Sequence, residues 1–299
     1  LDATGPLELV LASQTDGRII ARSFTPLVGE HLAAKFSSPL PNDRRYLIGV
    51  LNRATWDEQV TYRVAVGFNE RPPLPPDMPW PPGLSVDELT PPERTAAATV
   101  EITIGDCSGG SGVCVTPDGL VLSCRHCLKL DRGFGGLQQE GIIVAFPQEL
   151  EAPPIQAYYA KVLAESVERD LVLLAPLRDV FGDPLPKDVR LPWLPLGDSS
   201  KLRLGQPLWV AGYPQVGSEC TRTAVILSRG IVAGLERRQG GPAWIKTDAW
   251  VAPGHSGGPI VDAQGRLVGI AAATLGGTES LGLGIPVGRL PPKWLERIA

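Results

Sequence analysis

From residue 95 onward the chain alternates between short apolar runs and turn residues. TVEITIG, GVCVTPDGLVLSC, GIIVAF, AYYAKVLAE, DLVLLAP, PLWVAGYP, TAVILSRGIVAGL, AWIKTDAW, GPIVDAQGRLVGIAAAT and GLGIPV each hold one or two runs of strand length. Pro117-Asp118-Gly119, Gly182-Asp183-Pro184 and Ala263-Gln264-Gly265 stand between them, and such triplets form turns. Many short strands without helical spacing between them predict an antiparallel barrel or sandwich. Residues 95–299 are long enough for two barrels of about 90–100 residues each. Only the closing stretch, PKWLERIA, has the spacing of a helix.

A smaller unit, residues 1–70, precedes this region. LELVLAS and GRIIARSF read as a strand pair around Thr15-Asp16-Gly17, a hairpin signal. PNDRRYLIGVLNRA has helical spacing, with Asn42 or Asp43 as the cap, and VTYRVAVGF alternates like a half-buried strand. The expectation is a small α+β module, in which nothing identifies an activity and His31 has no assigned role. Residues 71–94 separate the two parts. Nine prolines fall within residues 72–92. Proline fixes φ and lacks the amide donor, so this stretch is expected to be an extended, semi-rigid linker.

Composition narrows the function classes. With 28 Lys+Arg against 32 Asp+Glu the formal net charge is −4, which argues against a basic nucleic-acid surface. No apolar run approaches the roughly 18–20 residues that span a bilayer, so no membrane partner is expected. The 34 glycines and 30 prolines suit a β-protein with many turns. The five cysteines (Cys107, Cys114, Cys124, Cys127 and Cys220) are an odd number. That argues against a fully paired disulfide framework and leans toward a reducing, cytoplasmic compartment. The chain starts at Leu1 without a signal pattern, which reads as a trimmed fragment whose export history is not legible.

Histidine is the commonest proton shuttle near neutral pH, and there are only three: His31, His126 and His255. His126 follows an apolar strand in LVLSCRHCL, Asp170 opens the strand DLVLLAP, and Ser256 sits in the glycine-flanked turn PGHSGGPIV. A serine hydroxyl becomes a strong nucleophile when an imidazole removes its proton and a carboxylate holds that imidazole. Glu165, Glu168 and Asp179 compete for the carboxylate role, but only Asp170 directly begins the apolar strand. Gly254 is able to adopt a backbone conformation closed to other residues. The amides of Gly254 and Ser256 would then converge as an oxyanion hole, each donor contributing about 2.7–4 kcal/mol in the transition state.

These segments carry a resemblance. GGSGVCVTPDGLVLSCRHCL is similar to the histidine segment of trypsin-like serine proteases, and closest to the HtrA/Deg branch. RDLVLLAP resembles that branch's aspartate strand, and IKTDAWVAPGHSGGPIVDAQGRLVGI its nucleophile segment. WVAGYPQVG and SRGIVAGL resemble its Gly-x-Pro loop and the strand after it. The resemblance covers residues 97–290 in the order His, Asp, Ser, with no PDZ-type segment after Ser256. It implies a mainly β fold of two antiparallel six-stranded barrels, chymotrypsin-like, with the site in the cleft between them. It also implies hydrolysis of a protein or peptide substrate through an acyl-enzyme, by His126, Asp170 and Ser256, without metal or cofactor.

Two departures from the family stand out. His255 occupies the place where digestive trypsins have Asp and the HtrA/Deg branch usually has Asn, so activation by pairing with a new N-terminus is not expected. Arg125, Cys124 and Cys127 replace the small or apolar neighbours usual beside the histidine. The family's pocket-lining segments give Val251, Leu275 and Leu281 as candidate walls, and no acid falls at the pocket floor. A buried Lys or Arg would be uncompensated there, which implies aliphatic preference before the scissile bond. Cys124-x-x-Cys127 with His126 between and Cys107 and Cys114 upstream has a spacing that also suits zinc. His126 is already claimed by the triad, so no metal is expected. Many secreted trypsins have a disulfide at the place of Cys127, and a bridge from it to an upstream cysteine is the other option. The N-terminal module is expected to hold or recruit a protein partner. The alternative to an active peptidase is a silent or latent protease-fold regulator.

Overall fold

The computed structural model describes residues 7–13, 19–24, 27–28, 31–32, 46–52, 84, 88–104, 107–128, 142–179, 184–214, 223–238, 241–275 and 281–298, with main chain only for those before residue 53. The first strands are β1 (Leu7–Ser13), β2 (Ile19–Phe24), β3 (Leu27–Val28), β4 (His31–Leu32) and β5 (Tyr46–Asn52). β1 and β2 pair antiparallel, as the hairpin signal predicts. A helix is expected over PNDRRYLIGVLNRA, but its described part, Tyr46–Asn52, is β5, which pairs along the whole of β1 in the sheet β2-β1-β5. A neighbouring strand edge overrides weak helical spacing in an apolar run of this length. VTYRVAVGF lies outside the described residues.

The expected linker also ends differently. Helix α1 (Pro91–Ala98) starts inside it, with its two prolines in the first turn. Proline is tolerated there because those amides have no intrahelical partner. The Glu93 carboxylate accepts hydrogen bonds from the Thr90 amide at 2.8 Å and the Thr90 hydroxyl at 2.6 Å, fixing the helix start. Residues 71–83 and 85–87 lie outside the described residues.

Two closed antiparallel barrels follow, as the run pattern and the family resemblance together predict. The first has β6 (Thr99–Ile104), β7 (Cys107–Cys114), β8 (Val121–Cys124), β9 (Ile142–Phe146), β10 (Ile155–Ser166) and β11 (Leu171–Asp179), in ring order β10-β11-β8-β7-β6-β9. The second has β12 (Pro207–Gly212), β13 (Ile226–Arg238), β14 (Gly241–Thr247), β15 (Pro259–Asp262), β16 (Leu267–Leu275) and β17 (Leu281–Pro286), in ring order β12-β13-β14-β17-β16-β15. Helix α2 (Pro292–Ile298) closes the chain where PKWLERIA predicts it. Among the described residues no helix is long and apolar enough to cross a membrane.

The continuous apolar runs of β8 and β11 have a structural cause. Successive side chains point to opposite faces of a strand, and here both faces are buried. Val172 and Leu174 pack with Val100, Ile102, Val144, Phe146 and Tyr158 inside the first barrel. Leu171 and Leu173, with Leu122 and Cys124 of β8, pack outward on Val261, Leu267 and Ile270 of the second barrel and on Trp294 of α2. Leu122, Leu171, Leu173 and Val261 are fully buried in this seam. Each such leucine contributes roughly 1.5–3 kcal/mol of burial. Leu173→Ala is expected to cost about 2–5 kcal/mol and lower the thermal midpoint by roughly 10 °C. Calorimetry of the two proteins checks this; an unchanged midpoint refutes the seam's role.

Candidate active site at the barrel seam

The β8–β11 ladder assembles the first half of the site. Leu171 pairs with Cys124 and Val172 with Ser123. One step further, the Arg125 amide donates to the Asp170 carbonyl oxygen at 3.0 Å. A 3-10 turn, Arg125–Leu128, then carries His126 over the Asp170 side chain. Asp170 Oδ1 accepts from the His126 amide at 2.9 Å, and Oδ2 is 2.5 Å from His126 Nδ1. Asp170 has φ 52°, in the left-handed region, which aspartate tolerates better than most residues. Of its rival carboxylates, Glu165 pairs with the Arg125 guanidinium at 2.8 Å. Asp179 lies at the far end of β11, and Glu168 is exposed on the turn before Asp170. The bond to Asp170, aided by Cys127, raises the His126 pKa to about 10.

The second half is the turn 252–258, between β14 and β15. His255 donates its amide to the Ala252 carbonyl at 3.0 Å, Gly258 to that of His255 at 2.9 Å, and Gly257 to that of Ala271 at 2.7 Å. Among the described residues the amides of Gly254 and Ser256 donate to nothing. Gly254 has φ 99° and Gly257 φ 88°. A Cβ on Gly257 would stand 2.0 Å from the Ser111 carbonyl oxygen, so close packing as well as φ requires glycine there. The Ser256 hydroxyl donates to the Ala272 carbonyl oxygen at 3.1 Å. The hydrogen bonds of the described residues thus join His126 to Asp170 and hold the Ser256 hydroxyl on β16.

Ser111 is a site residue that the sequence analysis did not single out. From β7 of the first barrel its hydroxyl donates to the Gly254 carbonyl at 2.7 Å and accepts from the Tyr213 amide at 2.8 Å. Its amide donates to the Ser256 carbonyl at 2.9 Å. The available signal was the pair of glycines flanking it, which let the nucleophile turn approach. Two thiols make further crossings: Cys127 Sγ donates to the Ser256 carbonyl and Cys124 Sγ to that of Ala271, each at 3.3 Å. Cys114, Cys124 and Cys127 are free thiols, so Cys127 is not bridged. The side chain of Cys107 and all of Cys220 lie outside the described residues.

His255 is fully buried. Its Nδ1 accepts from the Ala252 amide at 3.3 Å, and its ring stands edge-on to Trp250 with centroids 5.1 Å apart. Burial lowers its pKa to about 4, so it is neutral at pH 7 and holds the turn as a packed ring. Of the pocket candidates, Val251 is buried in the second barrel's core, tight against Gly282. Leu281 is partly exposed and pairs with Leu275 across β16 and β17, and the Leu275 side chain lies outside the described residues.

Comparison with known proteins agrees with this architecture. The trypsin-like peptidase domain family matches residues 110–270. Serine protease PepD of Mycobacterium tuberculosis is 30% identical over 257 residues, covering 74% of this chain and 51% of that protein. Serine protease Do-like HtrB of Bacillus subtilis is 37% identical over 106 residues, covering 32% of this chain and 22% of that protein. A solved structure described as HtrA-type protease AlgW with tripeptide superposes with TM-score 0.52 at 26% identity, covering 70% of this chain and 62% of that one. The chain therefore spans only part of the length of these relatives.

Ser111→Ala removes the buried hydroxyl's bonds to the Gly254 carbonyl oxygen and the Tyr213 amide. It is expected to destabilise the protein by roughly 1–3 kcal/mol. Chemical denaturation measures this, and a loss below a few tenths of a kcal/mol would show that the clamp is idle.

Proposed function

The chain belongs to the trypsin-like peptidase family, and on that premise we propose that it is a serine endopeptidase in which His126, Asp170 and Ser256 are the catalytic groups. The observation that carries this reading is the Asp170 carboxylate on His126 Nδ1, on the turn whose Cys127 thiol also reaches the Ser256 main chain. With Nδ1–H held by Asp170, Nε2 is the free base. The Ser256 hydroxyl leaves Ala272, gives its proton to Nε2, and its oxygen attacks the scissile carbonyl carbon. The carbonyl electrons move to oxygen, and the amides of Gly254 and Ser256 stabilise that charge. The imidazolium returns the proton to the leaving amine. Water, deprotonated by the same nitrogen, then cleaves the acyl-enzyme. None of these steps draws on a group beyond the chain, its substrate and water.

A peptide substrate is supported by the structure described as HtrA-type protease AlgW with tripeptide. Val251, Leu275 and Leu281 are proposed to line an aliphatic pocket for the residue before the scissile bond. The N-terminal module, residues 1–70, is proposed to engage a protein partner. One observation favours a latent resting form: the Ser256 hydroxyl is bonded to Ala272. Productive substrate binding then has to draw the hydroxyl to His126.

A fluorophosphonate probe is expected to label the wild-type protein and leave Ser256→Ala unlabelled; equal labelling of the two refutes the peptidase reading. Because Asp170 raises the His126 pKa, His126 stays protonated, and unable to act as a base, to a higher pH than a free imidazole. Turnover is therefore expected to rise with pH along a limb above the ordinary value near 6.5. Asp170→Asn should lower kcat by about 10⁴ and move the limb down toward that value. A pH–rate profile that does not move in the variant contradicts the dyad.

A further inference from the structure

We propose that Cys124, His126 and Asp170 form a binding site for a soft divalent cation of the zinc type, and that occupancy switches the peptidase off. The binding claim stands on geometry alone. The inhibition claim rests on the reading of His126 and Asp170 as catalytic groups. Each of the three residues offers one ligand atom, and these atoms all lie within 4.8 Å of one another. Sulfur, imidazole nitrogen and carboxylate oxygen are the donors zinc takes, at about 2.3, 2.0 and 2.0–2.2 Å. Donors around one tetrahedral zinc stand roughly 3.3–3.7 Å apart. The cluster therefore needs only a small adjustment: the half-exposed side chains of His126 and Asp170 open their mutual bond, and the buried Cys124 thiol gives up its bond to the Ala271 carbonyl oxygen.

The fold selects a different ligand set from the one that linear spacing suggests. Cys114 is turned away, its thiol donating to the Thr116 carbonyl at 3.2 Å. The β8–β11 register instead brings the Asp170 carboxylate beside Cys124 and His126. Cys124 is the decisive member, because it adds sulfur to a His–Asp pair. Zinc and the proposed triad compete for His126. The structure makes that competition the mechanism: a cation held by the imidazole and the carboxylate withdraws the imidazole from proton transfer and the carboxylate from the imidazole. Binding releases the Cys124 thiol proton and any proton on the ligating nitrogen, so affinity rises with pH.

The test uses full-length Ser256→Ala protein, stripped with chelator and titrated with Co²⁺. A thiolate-to-cobalt charge-transfer band saturating at one ion per chain is expected. Cys124→Ser should lose the band and weaken Zn²⁺ affinity by more than about tenfold, whereas Cys127→Ser should keep the band. Absence of the band, or its loss in Cys127→Ser only, overturns the site. If Cys124→Ser does not fold, zinc-edge X-ray absorption of the Ser256→Ala protein decides: one sulfur among light-atom ligands supports the site, and no sulfur overturns it. In wild type, peptide cleavage should fall as Zn²⁺ rises and recover with chelator. Stoichiometric binding to an enzyme that stays active overturns the inhibition claim. A band in a protein that never turns over peptide leaves the binding site supported and refutes the peptidase reading on which the inhibition claim rests.

Discussion

The arrangement of this site depends on how one barrel wall is held against another. Residues of β7, β8 and the turn after β8 reach across the seam and fix the segment around Ser256. Ser111 holds the Gly254 and Ser256 carbonyls, and the thiols of Cys124 and Cys127 hold those of Ala271 and Ser256. The apolar face of Leu122, Leu171 and Leu173 beneath them excludes water, which strengthens short polar contacts made in its shelter. His126 belongs to one wall and Ser256 to the other. Their relative position is thus a property of the seam.

Electrostatics divides the two site histidines into different jobs. His126 is half exposed and bonded to a carboxylate, which favours its charged form. His255 is enclosed beside Trp250 and meets only a backbone amide, which favours its neutral form. The first faces solvent beside a carboxylate, and the second is packed into the turn before β15. The same imidazole type is therefore held charged or neutral according to what faces it.

Much of this was legible in the linear sequence. Short apolar runs punctuated by turn triplets are what closed antiparallel barrels look like, and strands buried on both faces read as uninterrupted apolar runs. His126, Asp170 and Ser256 each sit at a strand end, where position in the chain reports position in space. Three features escaped for definite reasons. YLIGVLN fits both a helix face and a strand, and only the neighbouring β1 decides between them. The proline count masked the Thr90-x-x-Glu93 capping box that starts α1. Ser111 shows nothing chemical by itself, since its partners lie on another barrel and its importance exists only in three dimensions.

The double burial of β8 and β11 has a consequence for how the molecule opens. Each strand is at once the lining of one barrel and the outer support of the next, so neither barrel is able to melt while its neighbour keeps a dry interface. The two barrels are coupled into a single cooperative unit, with the laddered amides of β8 and β11 among the last to exchange with solvent. Any adjustment that readies the nucleophile must accordingly come from side-chain and loop rotation on a stiff frame, not from breathing between lobes.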